Sequence, residues 1–135
     1  MFKLAYILRA LQLYTWNIHN LTKGPSFFGD HCATGEFYEQ VGMDYDSVIE
    51  RAIGIGDESV KVDEIAVKAG QLVGKLPHNT PDMNSYFKAI LDLEEIVCAE
   101  VEKIKDNYSE GTKQLIGEIC NKSEMRQYKI KQRLK

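Results

Sequence analysis

Very little in this sequence breaks a helix. There are only three prolines in 135 residues, and none interrupts a long periodic segment, so extended helices are open to the chain. The cysteines, Cys32, Cys98 and Cys120, are odd in number and form no C-x-x-C, which argues against a disulfide framework. No apolar run reaches the roughly 18 residues of a membrane span. The stretch Met1 to Ala10 lacks the basic region and cleavage pattern of a secretory signal. These absences predict a soluble, cytoplasmic protein with no membrane partner. No sign of charge dominates either: 17 basic and 20 acidic residues leave -3, without a whole-protein pull towards nucleic acid.

What is present is helical periodicity. Residues 1–135 fit one domain that can bury a sizeable core. Leu4, Leu8, Leu11, Thr15 and Ile18 recur every three or four residues and predict a helix from Phe2 to about Leu21. His19 lies on the flank of that stripe, about 60° from Leu4 at about 100° per residue. Lys23-Gly24-Pro25 ends the helix, and Ser26 is placed to cap the next. That second helix is expected from Phe27 to about Ile55, with Phe27, His31, Thr34, Tyr38, Val41, Tyr45 and Ile49 facing inward. Asp46 and Glu50, one turn apart, project together from its edge. A short helix follows over Val62 to Leu76, with Ile65, Val67 and Leu72 as apolar contacts.

Thr80 as N-cap and Pro81 at the first position open a third long helix, which runs to about Asp106. Its stripe is Phe87, Ile90, Leu91, Val97, Val101 and Ile104, with Glu94 near the middle. After a turn at Asn107 to Ser109, the last helix presents Leu115, Ile116, Ile119, Cys120, Gln127, Ile130 and Leu134. The predicted fold class is all-α: a four-helix bundle with a short helix in the long crossover between its second and third helices, the ferritin-like arrangement. His78, in a Pro-flanked loop, is expected to face solvent.

The chemistry gathers between His19 and Glu50. Two imidazoles and two carboxylates suit iron, which accepts mixed nitrogen and oxygen ligands and changes oxidation state where zinc cannot. Taken alone, the histidines read first as hydrogen-bonded helix residues. Glu94 has two readings as well: a core carboxylate with a partner, or an intrasubunit metal ligand. Cys98 and Cys120 are almost equidistant from the Tyr108-Ser109 turn, so an antiparallel hairpin sets them at similar heights.

The segment resembles the signature of the Dps family, the DNA-binding proteins from starved cells. In that pattern a histidine is followed after eleven residues by a second histidine, after three by an aspartate, after ten by another aspartate, and after three by a glutamate. His19, His31, Asp46 and Glu50 occupy four of these positions, with Arg51 following and Gly24 and Phe27 matching between the histidines. The resemblance extends more loosely over the whole chain, including Tyr128 where the family often has tryptophan. It implies a dodecameric homo-oligomer enclosing a cavity. The iron site would lie between subunits, with His19 and His31 as nitrogen ligands and Asp46 and Glu50 as carboxylates. The implied activity is ferroxidase: Fe(II) is oxidised by hydrogen peroxide or dioxygen and stored as ferric mineral, which limits oxidative damage.

The sequence departs from the pattern at three places: Gly35 stands where the first aspartate belongs, Asn20 replaces a tryptophan, and Cys32 replaces a common acid. One alternative is therefore an intrasubunit di-iron site around Glu94, of the kind implied by a resemblance to thioferritins, which carry a cysteine pair beside such a site. Against it, no histidine here has a glutamate three residues before it. A second alternative is a DNA-binding or structural shell with a degenerate iron site. DNA is a secondary partner on this reading, with Lys129, Lys131, Arg133 and Lys135 as its salt-dependent contacts.

Overall fold

A computed structural model describes all residues, 1–135, as an all-helical chain without strands. Five α-helices follow in order: α1 (Phe2–Leu21), α2 (Phe27–Gly54), α3 (Val62–Gly74), α4 (Met83–Ile104) and α5 (Glu110–Leu134). A short 3-10 turn, Lys105–Asn107, lies between the last two. Gly24 and Gly56 adopt φ of 86° and 73°, a left-handed geometry that other residues enter only at a cost. They bend the chain where the breaker and the helix end were expected.

The four long helices close a ring in which α1 packs on α2 and α4, α5 packs on α4, and α2 touches α5, while α3 lies against α1. Because α1 has neighbours on three sides, it buries Ala5, Ile7, Ala10 and Tyr14 in addition to its expected stripe of Leu4, Leu8, Leu11, Thr15 and Ile18. Each fully buried leucine there contributes about 1.5–3 kcal/mol over leaving it in water. The Tyr14 hydroxyl donates to the Pro77 carbonyl at 2.7 Å, tying the end of the α3 segment to α1. Burial holds that phenol well above its ordinary proton affinity.

On α2 the buried face differs from the expected one. Asp30, Thr34, Phe37, Val41, Asp44, Tyr45, Val48 and Ala52 are buried, whereas His31, Tyr38 and Ile49 are only half-buried and Phe27 is exposed. The core-facing stripe thus keeps Thr34, Val41 and Tyr45, while Asp30, Phe37 and Val48 take the places expected of His31, Tyr38 and Ile49. Two aspartates lie on it because each meets a cation: Arg133 reaches both oxygens of Asp30 at 2.9 and 3.1 Å, and Lys122 pairs with Asp44.

Smaller corrections concern helix starts and one contact. Asp82, not Thr80, caps α4, accepting the Asn84 N–H at 2.9 Å. Thr80 instead accepts from the Asp82 N–H. Ser26 precedes α2 without a side-chain cap bond; its carbonyl takes the Asp30 N–H. Val67 is exposed, and Ala69 joins Ile65 on the buried face of α3.

The bundle core contains a charge cluster. Glu94 is fully buried, with Arg126 Nε on one oxygen at 2.6 Å and Arg126 Nη2 on the other at 3.1 Å. Ser123 Oγ adds a third bond at 2.6 Å. Arg126 Nη1 also donates to Gln40 and approaches Asp44 Oδ2 to 4.0 Å. Burial raises the proton affinity of the Glu94 and Asp44 carboxyls, and Arg126 and Lys122 oppose it.

Removing one partner from such a pair leaves a buried charge uncompensated. Arg126→Met is therefore expected to lower the unfolding free energy by about 3–5 kcal/mol in urea titrations. The double variant Glu94→Leu/Arg126→Met should recover a large part of that loss, since Asp44 keeps Lys122.

Candidate metal centre

The end of α1 meets the start of α2 through two histidines that hold each other's backbone. His19 Nδ1–H donates to the His31 carbonyl at 2.7 Å, and His31 Nδ1–H donates to the His19 carbonyl at 3.0 Å. A carbonyl oxygen only accepts, so both Nδ1 atoms carry a proton, which in a neutral ring leaves the lone pair on Nε2. The rings stack at 3.7 Å between centroids with 21° between planes. Phe27 stacks on the far side of His31 at 5.0 Å, and Tyr38 meets His19 edge-on at 5.5 Å.

Local chemistry explains this crossing. The last carbonyls of a helix have no partner within it, and His19 O is one of them; Thr22 Oγ1 and His31 Nδ1 both donate to it. The His31 carbonyl lies inside α2, where a side chain four residues on would ordinarily crowd a second donor. That residue is Gly35. A Cβ there would stand 3.0 Å from His19 Cε1 and 3.2 Å from Nδ1. The absence of a side chain at position 35 thus leaves the His19 ring room against α2.

Imidazoles fixed through Nδ1 by a carbonyl, with Nε2 free, are oriented as metal-binding histidines ordinarily are. Both are half-buried.

The carboxylates lie elsewhere. Asp46 and Glu50 are exposed on α2, and no ion pair within the chain involves either. Between His31 and Asp46 the helix advances about 22 Å at 1.5 Å per residue. One chain thus brings the two histidines together and the two acids together, but not the pairs to each other. His78 is exposed, with Nε2 2.9 Å from the Val73 carbonyl.

Both oxygens of Glu94 are occupied by Arg126 and Ser123. Its environment is that of a core carboxylate with a partner. The two cysteines do meet across the α4–α5 hairpin, and Glu124 joins them: a donor atom from each of Cys98, Cys120 and Glu124 lies within 4.8 Å of the others. Glu124 carried no signal in the sequence, being an exposed glutamate on a polar face. No protein-family model matches the chain, and no curated protein does. The functional reading therefore stands on the geometry of these side chains.

A paired glycine substitution tests the contact between His19 and α2. Gly117, in α5, has nothing near the position of an added Cβ, so Gly117→Ala should stabilise by about 0.5–1 kcal/mol. Gly35→Ala is expected to lose that gain or reverse it, because the His19 ring must move. Equal gains for both variants in urea unfolding would mean that the ring does not lie against Gly35.

Proposed function

We propose that this chain is a ferritin-like shell subunit of the Dps type that oxidises Fe(II) at sites shared between two copies. The observation that carries this reading is the pair of imidazoles with both Nδ1 atoms anchored on carbonyls and both Nε2 atoms free. The exposed acids at the far end of the same helix would complete the ligand set in a neighbouring copy. A two-fold axis crossing α2 near its middle would run the two helices antiparallel, setting His19 and His31 of one chain against Asp46 and Glu50 of the other. Such an isologous contact makes two equivalent sites at once.

Two further features support the reading. Trp16 is 50% exposed, Phe28 86% and Met43 70%, so the α1–α2 hairpin carries large apolar groups of the kind that subunit contacts cover. Arg133, near the end of α5, bonds both Asp30 at the start of α2 and Asn84 at the start of α4. Helices α2 and α4 therefore begin at the same end of the bundle, and the segment containing α3 has to return along its length, as a ferritin-like crossover does.

In the proposed reaction Fe(II) is the substrate. The imidazole nitrogens and carboxylate oxygens bind it, and the carboxylates favour the higher charge of Fe(III). Two Fe(II) ions lose one electron each; hydrogen peroxide accepts both electrons and two protons and leaves as two waters. Dioxygen is the alternative oxidant. The product is stored as ferric mineral inside the shell. A DNA-binding or structural shell lacking this activity is the competing reading, favoured by the glycine at position 35.

Chromatography is expected to show a species near twelve times the subunit mass; a stable monomer would sink the proposal. His31→Ala and Asp46→Asn should each slow Fe(II) oxidation about tenfold or more. Mixed oligomers of the two variants should regain about a quarter of the sites, since half of random two-fold contacts are mixed and each restores one of two sites. No recovery on mixing would sink the shared site.

A further inference from the structure

We propose that Cys98, Cys120 and Glu124 form a second metal site, separate from the histidines, that binds a thiophilic divalent cation of the zinc class. The site follows from the packing of α4 against α5. Cys120 and Glu124 are four residues apart on α5 and share one face, while Cys98 reaches across from α4. All three donor atoms lie within 4.8 Å of one another, and Cys120 Sγ is 3.7 Å from Glu124 Oε1. With metal–sulfur and metal–oxygen bonds of about 2.3 and 2.1 Å, two ligands of a tetrahedral ion stand about 3.6 Å apart. The Cys120–Glu124 spacing already fits without backbone movement.

The surroundings favour a built site over two inert thiols. All three cysteines of the chain are free. Gln127 Nε2 points at Cys98 Sγ at 3.5 Å and is itself held near Ser123 Oγ at 3.2 Å, an outer contact that would steady a thiolate. The Cys98 thiol donates to the Cys120 carbonyl, so the sulfur is already oriented within the hairpin. Cys120 is buried, Cys98 half-buried and Glu124 exposed, which leaves a route for an ion from the Glu124 side. The nearby Glu94 is not part of the site, because Arg126 and Ser123 occupy its oxygens.

Two sulfurs and one carboxylate select zinc or cadmium over magnesium or calcium. Three protein ligands leave the fourth position to water or another donor. In the metal-free protein, burial and the neighbouring Cys98 and Glu124 push the Cys120 thiol up to about 12. An incoming cation must displace that proton and the one on Cys98, so apparent affinity rises with pH.

The test uses full-length, reduced, oxygen-free protein with Cys32→Ser to remove the exposed thiol, titrated with Cd²⁺. One ion per chain is expected, with ultraviolet thiolate-to-cadmium charge-transfer absorption that His31→Ala leaves intact. Cys98→Ser and Cys120→Ser should abolish that two-thiolate signal, and Gln127→Leu should weaken binding about 10–100-fold. Absence of the band, or its survival in both cysteine variants, overturns the site. Alkylation of the unaltered chain gives an answer independent of variant folding: Zn²⁺ should protect the half-buried Cys98 but not the exposed Cys32, and equal labelling of Cys98 with and without Zn²⁺ refutes the proposal. Neither readout depends on iron oxidation.

Discussion

The arrangement of the bundle depends on one buried cation. Arg126 on α5 clamps Glu94 on α4 through two hydrogen bonds and stands 4.0 Å from Asp44 on α2. A buried ion pair of this kind often adds little net stability over well-packed apolar residues, because desolvation offsets the attraction. What it opposes is a change of register: sliding the helices would separate Glu94 from Arg126, and Asp44 from both Lys122 and Arg126. Asp44 must face the interior, and with it the stripe of Thr34, Phe37, Val41 and Val48. Once that face is committed, His31 and Tyr38 turn to the seam with α1, and Asp46 and Glu50 turn outward. The placement of the candidate ligands is therefore a consequence of the charge in the core.

The seam itself is set by small residues. Gly35 lets the His19 ring reach the α2 backbone, and the space beside Gly42 is taken by Gln12, whose Nε2 lies 2.5 Å from where a Cβ would be. Two glycines seven residues apart lie on nearly the same helical bearing, so α1 and α2 can approach along a line. At one end of that line the imidazole–carbonyl exchange closes the hairpin; towards the other, the Arg9 guanidinium lies 5.0 Å from the centre of the Tyr45 ring. The histidines thus have a structural task whatever they bind, and that same task fixes their tautomers.

Much of this was legible in the sequence where apolar periodicity and charge agreed. The α1 stripe from Leu4 to Ile18 was, and so was the meeting of Cys98 and Cys120, because equal distance from a turn fixes height in a hairpin. Where a charged residue is core-facing, pattern reading fails: Asp30, Asp44 and Arg126 resemble surface residues until their partners, 103, 78 and 32 residues away, are known. The same blindness rotated the expected face of α2. Gly35 was legible as a missing carboxylate, but its positive role was not, since that depends on the distance to a ring on another helix. Glu124 gave no signal because a lone exposed glutamate is ordinary.

On the proposed reading, Gly35 also changes the charge available to iron. Asp46 and Glu50 supply two negative charges, enough to balance one Fe(II); the family pattern, with a third carboxylate at position 35, supplies more. An aspartate at 35 would bring its Cβ to 3.0 Å from the His19 ring, so the ring would have to give by a few tenths of an ångström. On this reading the site has one carboxylate fewer than the pattern and keeps both imidazoles. Rigid imidazoles favour a single, well-held ion, whereas a second would depend on a shared carboxylate and solvent. Peroxide takes up two electrons, so under the proposed reaction a site that held one ion firmly would have to recruit its second transiently. Under that proposal the supply of the second Fe(II), rather than the binding of the first, would limit the reaction.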